Sequence, residues 1–330
     1  MKVERDVIAI IFAAFGLMAL VPWVAGQTLD GVFFTWPFFF EVAIGGLLSG
    51  VMYSLVALGF VLIFKASGVF NFAQGAMVLF AALTLVGFNE AGLPMWAAIV
   101  MTLGVMVIQA LLIERLVLRH LINQEHIILF MATIGIAYFL DGFGQTLWGS
   151  EVKMLDLGIS QQPGFYFNGT ILINDFDLIA AAIAGALVIF LALFFQYTAI
   201  GRALRAVADD HQAALSVGIA LNRIWVIVWA VAGGVGLVAG ILWGSKLGVQ
   251  FSLALVALKA LPVLILGGFT SVPGAIIGGL IIGAGEKIAE VFIAPLLGGG
   301  IEDWFAYMLA LAFLIVRPQG LFGEKIIERV

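Results

Sequence analysis

The chain has 330 residues, of which 63% are hydrophobic and only 11% are charged. Ordinary globular domains are about half apolar and about a quarter charged, so this composition excludes a water-soluble protein and indicates one that is solvated by lipid. The absence of cysteine excludes disulfides, thiol catalysis and cysteine-ligated zinc. The net charge of -5 says little by itself, because in a membrane protein the placement of the positive residues matters more than their sum.

Long apolar runs without strand-like alternation predict membrane-spanning helices, since a bilayer tolerates only helices and closed barrels. The run at 253–267 is short for a full crossing, which leaves a re-entrant segment as its alternative. We therefore expect an all-α, polytopic transmembrane helix bundle of about eight to ten membrane segments, some of them re-entrant or broken. The predicted segments are 7–25, 38–64, 72–88, 94–113, 127–147, 177–197, 224–243, 253–267, 274–293 and 303–317.

The first hydrophobic segment has two interpretations. Lys2 and Arg5, an apolar stretch and small residues at 24–26 are typical of a cleaved secretory signal. Retention of this helix is favoured, because many further hydrophobic runs follow and their insertion needs no cleaved signal.

The positive residues predict an orientation. If the N-terminus is cytoplasmic, most loop and terminal cations fall inside and only Lys153 and Lys246 fall outside, in accordance with the positive-inside rule. Both termini are then cytoplasmic, 148–176 is an external loop and 199–222 is an internal one. The internal cations are Lys2, Arg5, Lys65, Arg115, Arg119, Arg202, Arg205, Arg223, Arg317, Lys325 and Arg329.

Two glycine-rich segments, 63–75 and 266–279, interrupt the hydrophobic sequence. Interrupted segments at membrane depth are tolerated where they are buried or line a cavity, and they point to a transport site; a tight turn at the cytoplasmic face is the alternative. In the first segment, Asn71 and Gln74 are candidates for a translocation path, where they would offer hydrogen bonds to a zwitterionic solute. They could equally satisfy backbone groups.

Small residues recur at every fourth position in two predicted helices. This spacing places them on one helix face, where they let neighbouring backbones approach closely. It therefore predicts tight helix packing and, by itself, no activity. The two rows are Gly236, Gly240, Gly244 and Gly248, and Ala275, Gly279 and Gly283.

Ionisable residues inside membrane segments are costly and are therefore functional candidates. Glu286 and Glu290 share a helix face, as do Asp141 and Gln145, which suggests a proton relay; location near helix ends, with snorkelling and ion pairing, is the alternative. Lys259 is the residue that we most expect to have a buried partner, although the sequence does not identify that partner. We count Lys259 among the candidates for the translocation path. The full set is Glu41, Asp141, Lys259, Glu286, Lys287 and Glu290.

The internal segment 200–219 predicts an amphipathic helix that ends at Gly218. A surface helix resting on lipid headgroups is one interpretation. Asp209 and Asp210 favour a protein partner instead, because anionic lipid would repel them. The apolar face consists of Leu204, Val207, Ala208 and Leu215.

Gln212-Ala213-Ala214, followed by Gly218, resembles the EAA loop of ABC importer permeases, in which a short cytoplasmic helix docks onto an ATP-binding subunit. The surrounding sequence is similar to one branch, the permeases of the high-affinity branched-chain amino acid (leucine/isoleucine/valine) transport family. Segments 71–75, 267–275 and 317–323 resemble stretches of that family in the same order. Gln212 replaces the acidic residue of the general EAA pattern, and the Ile-x-Leu-Pro tail is absent after Gly218, which weakens the transfer of details of the coupling contact.

The resemblance implies a single transmembrane permease domain over 1–330, with a coupling loop at 199–222, in the bacterial cytoplasmic (inner) membrane. It implies a homologous or identical permease partner, two cytoplasmic ATP-binding subunits and an external substrate-binding protein, with contact to membrane lipid and none to nucleic acid. The substrate would be a branched-chain or other hydrophobic amino acid, or a small polar solute such as urea, an amide or a carboxylate. The expected coupling residues are Arg202, Arg205, Asp209, Asp210, Gln212, Ala213, Ala214 and Gly218.

We expect the chain itself to bind no cofactor or metal and to be no enzyme. It lacks the Gly-Lys-Ser/Thr of a P-loop, so ATP and Mg²⁺ would be used by partner subunits. An ion-coupled secondary transporter that uses Asp141, Lys259, Glu286 or Glu290 is the alternative function. An intramembrane enzyme is disfavoured, since the histidines, His120, His126 and His211, form no His-Glu-x-x-His pair.

Overall fold

The computed structural model describes residues 34–121, 124–167 and 169–323, together with Gly16, Leu20 and Trp23. The predicted segment 7–25 and its alternative as a cleaved signal lie outside the continuous described ranges, as do Lys325 and Arg329.

The described part of the chain is mostly helical, as the long apolar runs predict. Short 3₁₀ helices lie at Leu118–Leu121 and Phe251–Leu255. The α-helices are α1 (Trp36–Ser67), α2 (Gln74–Glu90), α3 (Met95–Leu116), α4 (His126–Trp148), α5 (Asp175–Tyr197), α6 (Ala199–Asp209), α7 (His211–Ser216), α8 (Leu221–Leu247), α9 (Val256–Lys259), α10 (Leu261–Gly267), α11 (Val272–Phe292), α12 (Ala294–Leu297) and α13 (Glu302–Val316).

Five helices in the described part are long and apolar enough to cross a membrane: α1, α3, α4, α5 and α8. The segment Phe251–Gly267 with Val272–Phe292 is a sixth if it counts as one span, and it bends by 114° at the break between them. The bend directly follows the segment 253–267, so this part of the chain is broken or re-entrant, as predicted. The remaining predicted segments form α2 and α13, which have 17 and 15 residues and are therefore short for roughly 20-residue crossings. The protein is an all-α polytopic membrane protein.

One compact unit contains the described residues up to Ser54, then Gly158–Gly185, then the residues from Lys259 onward. Within it, α10, α11 and α13 pack against one another. Gly279 and Gly283 of α11 face Gly50 and Gly46 of α1, so closely that a methyl group added at any of the four would overlap the opposite backbone. The close approach predicted for the second row of small residues is confirmed.

The same unit contains a small hairpin that the hydrophobic pattern does not predict. Strands β1 (Pro163–Tyr166) and β2 (Ile171–Asn174) pair antiparallel within the segment expected to be external. The backbone N–H of Leu172 donates to the carboxylate of Glu41 in α1, at 3.0 Å. The hydroxyl of Tyr166 donates to Asp175 at 2.7 Å, and this hydrogen bond raises the pKa of Tyr166.

The other compact unit contains Leu55–Leu157 and Ala186–Leu258. Its centre is α2, which packs against α3, α4 and α8 and is buried from Gln74 to Gly87. Gly236 and Gly240 of α8 face the backbone of Met77 and Val78, which confirms close packing for that part of the first glycine row. Gly248 differs: it has φ +80° and follows the last residue of α8, so it ends the helix.

Candidate functional site

The segment predicted to couple to a partner is two helices, α6 and α7, and the prediction of one continuous helix is wrong. Asp210, between them, has extended backbone angles, φ −158° and ψ 113°. Its Oδ1 accepts hydrogen bonds from the N–H groups of Gln212 and Ala213, at 2.7 and 3.0 Å. Asp210 therefore caps the start of α7, and an aspartate in this role interrupts the preceding helix.

The break changes which residues of the segment are exposed. Leu204 and Val207 of α6 are buried, as the amphipathic pattern predicts. In α7, Ala214 is buried, whereas Leu215 is 53% exposed, so its predicted place on the apolar face is wrong. The physical reason is that α7 starts anew at Asp210, and the 3.6-residue period of α6 does not continue into it. Val217, just after α7, is 73% exposed.

The two arginines of the segment contact the end of α5. The guanidinium of Arg205 donates to the backbone carbonyls of Phe195 and Gln196, at 2.7 and 3.2 Å. Arg202 donates to the carbonyl of Tyr197 at 3.1 Å. These carbonyls lie in the last turn of α5 and have no partners within that helix, so the arginines complete its C-terminus and tie α6 to it.

The remaining predicted coupling residues form the exposed end of the segment. Asp209, Gln212, Ala213 and Gly218 are exposed. Gly218 has φ +85° and its N–H donates to the carbonyl of Leu215, so the helical segment ends there as predicted. The structure thus places the eight predicted residues on one short segment, with the arginines turned to α5 and most of the others available to a partner.

Asn71 and Gln74 lie at the break between α1 and α2 and are completely buried. The side-chain Oδ1 of Asn71 accepts from the N–H of Ala73 at 3.1 Å. The Gln74 amide donates to the carbonyl of Ala232 in α8 at 3.4 Å, and the Asn71 amide donates to Gln74 at 3.5 Å. The structure therefore brings the two side chains together and gives both of them backbone partners.

Lys259 has the partners that the sequence could not identify. Its Nζ lies 3.2 Å from Glu286, 2.7 Å from Glu302 and 3.0 Å from Asp303. Glu286, whose side chain is 1% exposed, also accepts a hydrogen bond from the hydroxyl of Tyr53 at 3.0 Å. We call Tyr53, Lys259, Glu286, Glu302 and Asp303 the Lys259 cluster; it joins the end of α9 to α1, α11 and α13.

Other ionisable residues in membrane segments are also engaged. Glu290 accepts from the N–H groups of Ile301 and Glu302, both at 2.8 Å, and so caps the start of α13. Asp141 accepts from the amide of Gln145 at 3.0 Å, as their spacing predicts. Across the described ranges, no group of three or more His, Cys, Asp or Glu side chains is placed to hold a metal ion.

Two of the segments that resemble the family, 267–275 and 317–323, are neighbours in the structure, and the sequence does not predict this contact. The N–H of Leu321 donates to the carbonyl of Leu266 at 2.8 Å, and that of Phe322 donates to Gly267 at 3.1 Å. The C-terminal segment 317–323 therefore lies against the glycine-rich turn that follows α10. Gly268 and Gly320, both with positive φ, make this approach possible.

Comparison with known proteins agrees with these features. The family model described as "Branched-chain amino acid transport system / permease component" matches residues 42–317. The chain is 27% identical, over 89% of its length and 98% of the relative, to the high-affinity branched-chain amino acid transport system permease protein LivH of Salmonella typhimurium. It is 28% identical to LivH of Escherichia coli, with the same coverage, and 28% identical to BraD of Pseudomonas aeruginosa, over 88% of this chain and 98% of that one. Since this family model matches most of the chain, from residue 42 to residue 317, the chain belongs to the family of permease components of branched-chain amino acid transport systems.

Proposed function

We propose that this chain is the membrane-spanning subunit through which an ATP-driven, binding-protein-dependent importer moves branched-chain and other hydrophobic amino acids. The family match over 42–317 carries this proposal. The related permeases are named for high-affinity branched-chain amino acid transport, and their near full-length alignment with this chain favours the same substrate class.

The partners are two ATP-binding subunits, an external substrate-binding protein and a second permease subunit, either identical or homologous. The ATP-binding subunits hydrolyse ATP with Mg²⁺, and this chain serves as the passage. Its place is the bacterial inner membrane, with both termini and the segment 199–222 in the cytoplasm.

The exposed end of the coupling segment supports docking of an ATP-binding subunit. Leu215 and Val217 are apolar side chains exposed on a short helical segment, next to the charged and polar Asp209 and Gln212. Exposed apolar groups with a polar rim are typical of a protein-binding surface. Because Arg202 and Arg205 hold α6 to the end of α5, movement of the docked partner would be passed to that membrane helix.

The test is uptake of radiolabelled leucine by proteoliposomes that contain the chain, its ATP-binding partners and its binding protein. Leu215→Ser with Val217→Ser should lower ATP-dependent uptake by roughly tenfold or more and reduce co-purification of the ATP-binding subunits, because the free energy of burying these two apolar side chains against the partner would be lost. Met154→Ser is the control, since Met154 is also a strongly exposed apolar residue but belongs to the segment that we propose to lie outside. Undiminished uptake in the double variant, or uptake driven by an ion gradient without ATP, would contradict the proposal.

We also propose that Asn71, Gln74 and Lys259 border the translocation path. Asn71 and Gln74 offer amide groups at a buried helix break, and the 3.5 Å bond between them is long enough to be exchanged for a bond to solute at little cost. Gln74→Leu should then raise the leucine concentration that gives half-maximal uptake. An unchanged concentration would remove Gln74 from the path.

A further inference from the structure

A groove of 720 Å³ lies where α3 ends and α8 begins, two helices that pack against each other. Arg115, Arg119 and Arg223 stand at its polar end, beside Asn222. We call it the arginine groove. Its polar residues lie at helix ends, where a membrane helix meets the headgroup layer.

The charge of the arginine groove is strongly one-sided. Glu114 is its carboxylate, and this side chain is 4% exposed and lies 3.5 Å from Arg119. Arg115 and Arg223 are exposed and have no ion-pair partner among the described residues. Two guanidinium groups are therefore left to attract an anion, and phosphate matches the planar, forked donors of arginine.

The rest of the groove is apolar. Ile108, Leu111 and Leu112, one to two turns before Arg115 on α3, are 57%, 47% and 51% exposed. Val226 and Ile227 of α8 form the opposite wall. Along the helix axis the groove thus changes from cationic at the membrane surface to apolar at membrane depth, the same order as the headgroup and acyl chains of a phospholipid.

We propose that the arginine groove is a binding site for one anionic phospholipid. Its phosphate lies between Arg115 and Arg223, and its acyl chains lie along α3 and α8. Basic pockets between membrane helices on the cytoplasmic side bind anionic lipid headgroups in this way. The site is independent of the substrate that the importer carries.

The experiment is native mass spectrometry of the purified full-length chain with phosphatidylglycerol or phosphatidylcholine of identical acyl chains. The unaltered chain should bind one molecule of phosphatidylglycerol at least roughly tenfold more tightly than one molecule of phosphatidylcholine. The reason is that each arginine near the membrane surface contributes to the attraction of anionic lipid. In the double variant Arg115→Gln with Arg223→Gln, the ratio of the affinities for the two lipids should fall to near one. Arg317→Gln, an arginine at another helix end, should leave it unchanged.

Equal binding of the two lipids by the unaltered chain would overturn the proposal, and this result does not depend on how any variant folds. Competition by glycerol phosphate as effective as that by phosphatidylglycerol would also overturn it, since that outcome means an anion site without a lipid. A photo-reactive residue at Leu111, irradiated in native membranes, should give an adduct of phospholipid mass. A crosslink from Leu111 to another polypeptide would mean that a protein subunit fills the groove, contrary to the proposal.

Discussion

Lys259 shows, at the scale of one residue, how this chain keeps charge within its membrane segments. Its ammonium group lies within 3.2 Å of three carboxylates, and one of them, on Glu286, is almost completely buried. A buried carboxylate is stable only when paired, since its hydration is lost. The sequence predicted a partner for Lys259 but could not choose it, because Glu286, Glu302 and Asp303 lie far along the chain and only helix packing brings them together.

We predict that Lys259→Met lowers the free energy of unfolding by about 2–4 kcal/mol, because it leaves the Glu286 carboxylate buried without a cation. Thermal unfolding of the purified protein in detergent measures the change. Lys287→Met is the control: Lys287 has Glu302 as its partner, at 3.3 Å, and is 36% exposed, so its loss should cost about 0–1 kcal/mol.

Adding Glu286→Gln to Lys259→Met should restore part of the loss, because no uncompensated charge remains on Glu286 and the glutamine oxygen still accepts from Tyr53. A double variant as unstable as Lys259→Met would show that the cation does not act through Glu286.

At the scale of secondary-structure elements, hydrophobicity predicts the membrane helices well and the elements of the polar segments between them poorly. The apolar runs located α1 to α5 and α8 because lipid requires long apolar helices. The break at Asp210 and the hairpin β1–β2 lie in polar sequence, where the choice between helix, cap and strand depends on local hydrogen bonds. Helix period alone therefore placed Leu215 on the wrong face.

The crossing of α1 and α11 gives a prediction at this scale. Gly50→Ala should lower stability by about 1–3 kcal/mol, since the new methyl group would overlap the backbone of Gly279 and force the helices apart. Gly45→Ala, in the same helix, is the matched control: a methyl group there meets no atom within 4 Å, and stability should change by at most about 0.5 kcal/mol. Equal melting temperatures for the two variants, by thermal unfolding in detergent, would refute this account of the crossing.

At the scale of the whole molecule, the sequence singles out segments that resemble the family, but it does not predict which of these segments contact each other. The turn at 267–275 and the ending at 317–323 each resembled the family, and the structure joins them through Leu266 and Leu321. Pairings between distant backbone groups leave no periodic signal in a single sequence. The fold class and the family could therefore be predicted, whereas the contacts of individual residues, such as that of Arg205 with the end of α5, required the structure.

Orientation in the membrane is the property of the whole molecule on which the proposed function depends most directly. The distribution of lysine and arginine predicts that the segment 199–222 lies in the cytoplasm and that 148–176 lies outside. The chain has no cysteine, so a single introduced thiol can be labelled without background. Ser216, the last residue of α7, and Ser160, in the segment expected outside, are both exposed. Replacing serine by cysteine changes the size of the side chain very little at either position.

We predict that a membrane-impermeant maleimide added to intact cells labels Ser160→Cys and leaves Ser216→Cys unlabelled. In inverted membrane vesicles the result should reverse, because the coupling segment then faces the reagent. Labelling both variants after solubilisation in detergent controls for the reactivity of each thiol. If Ser216→Cys reacted in intact cells, the coupling segment would lie outside, where no ATP-binding subunit could dock, and the proposed mechanism would fail with it.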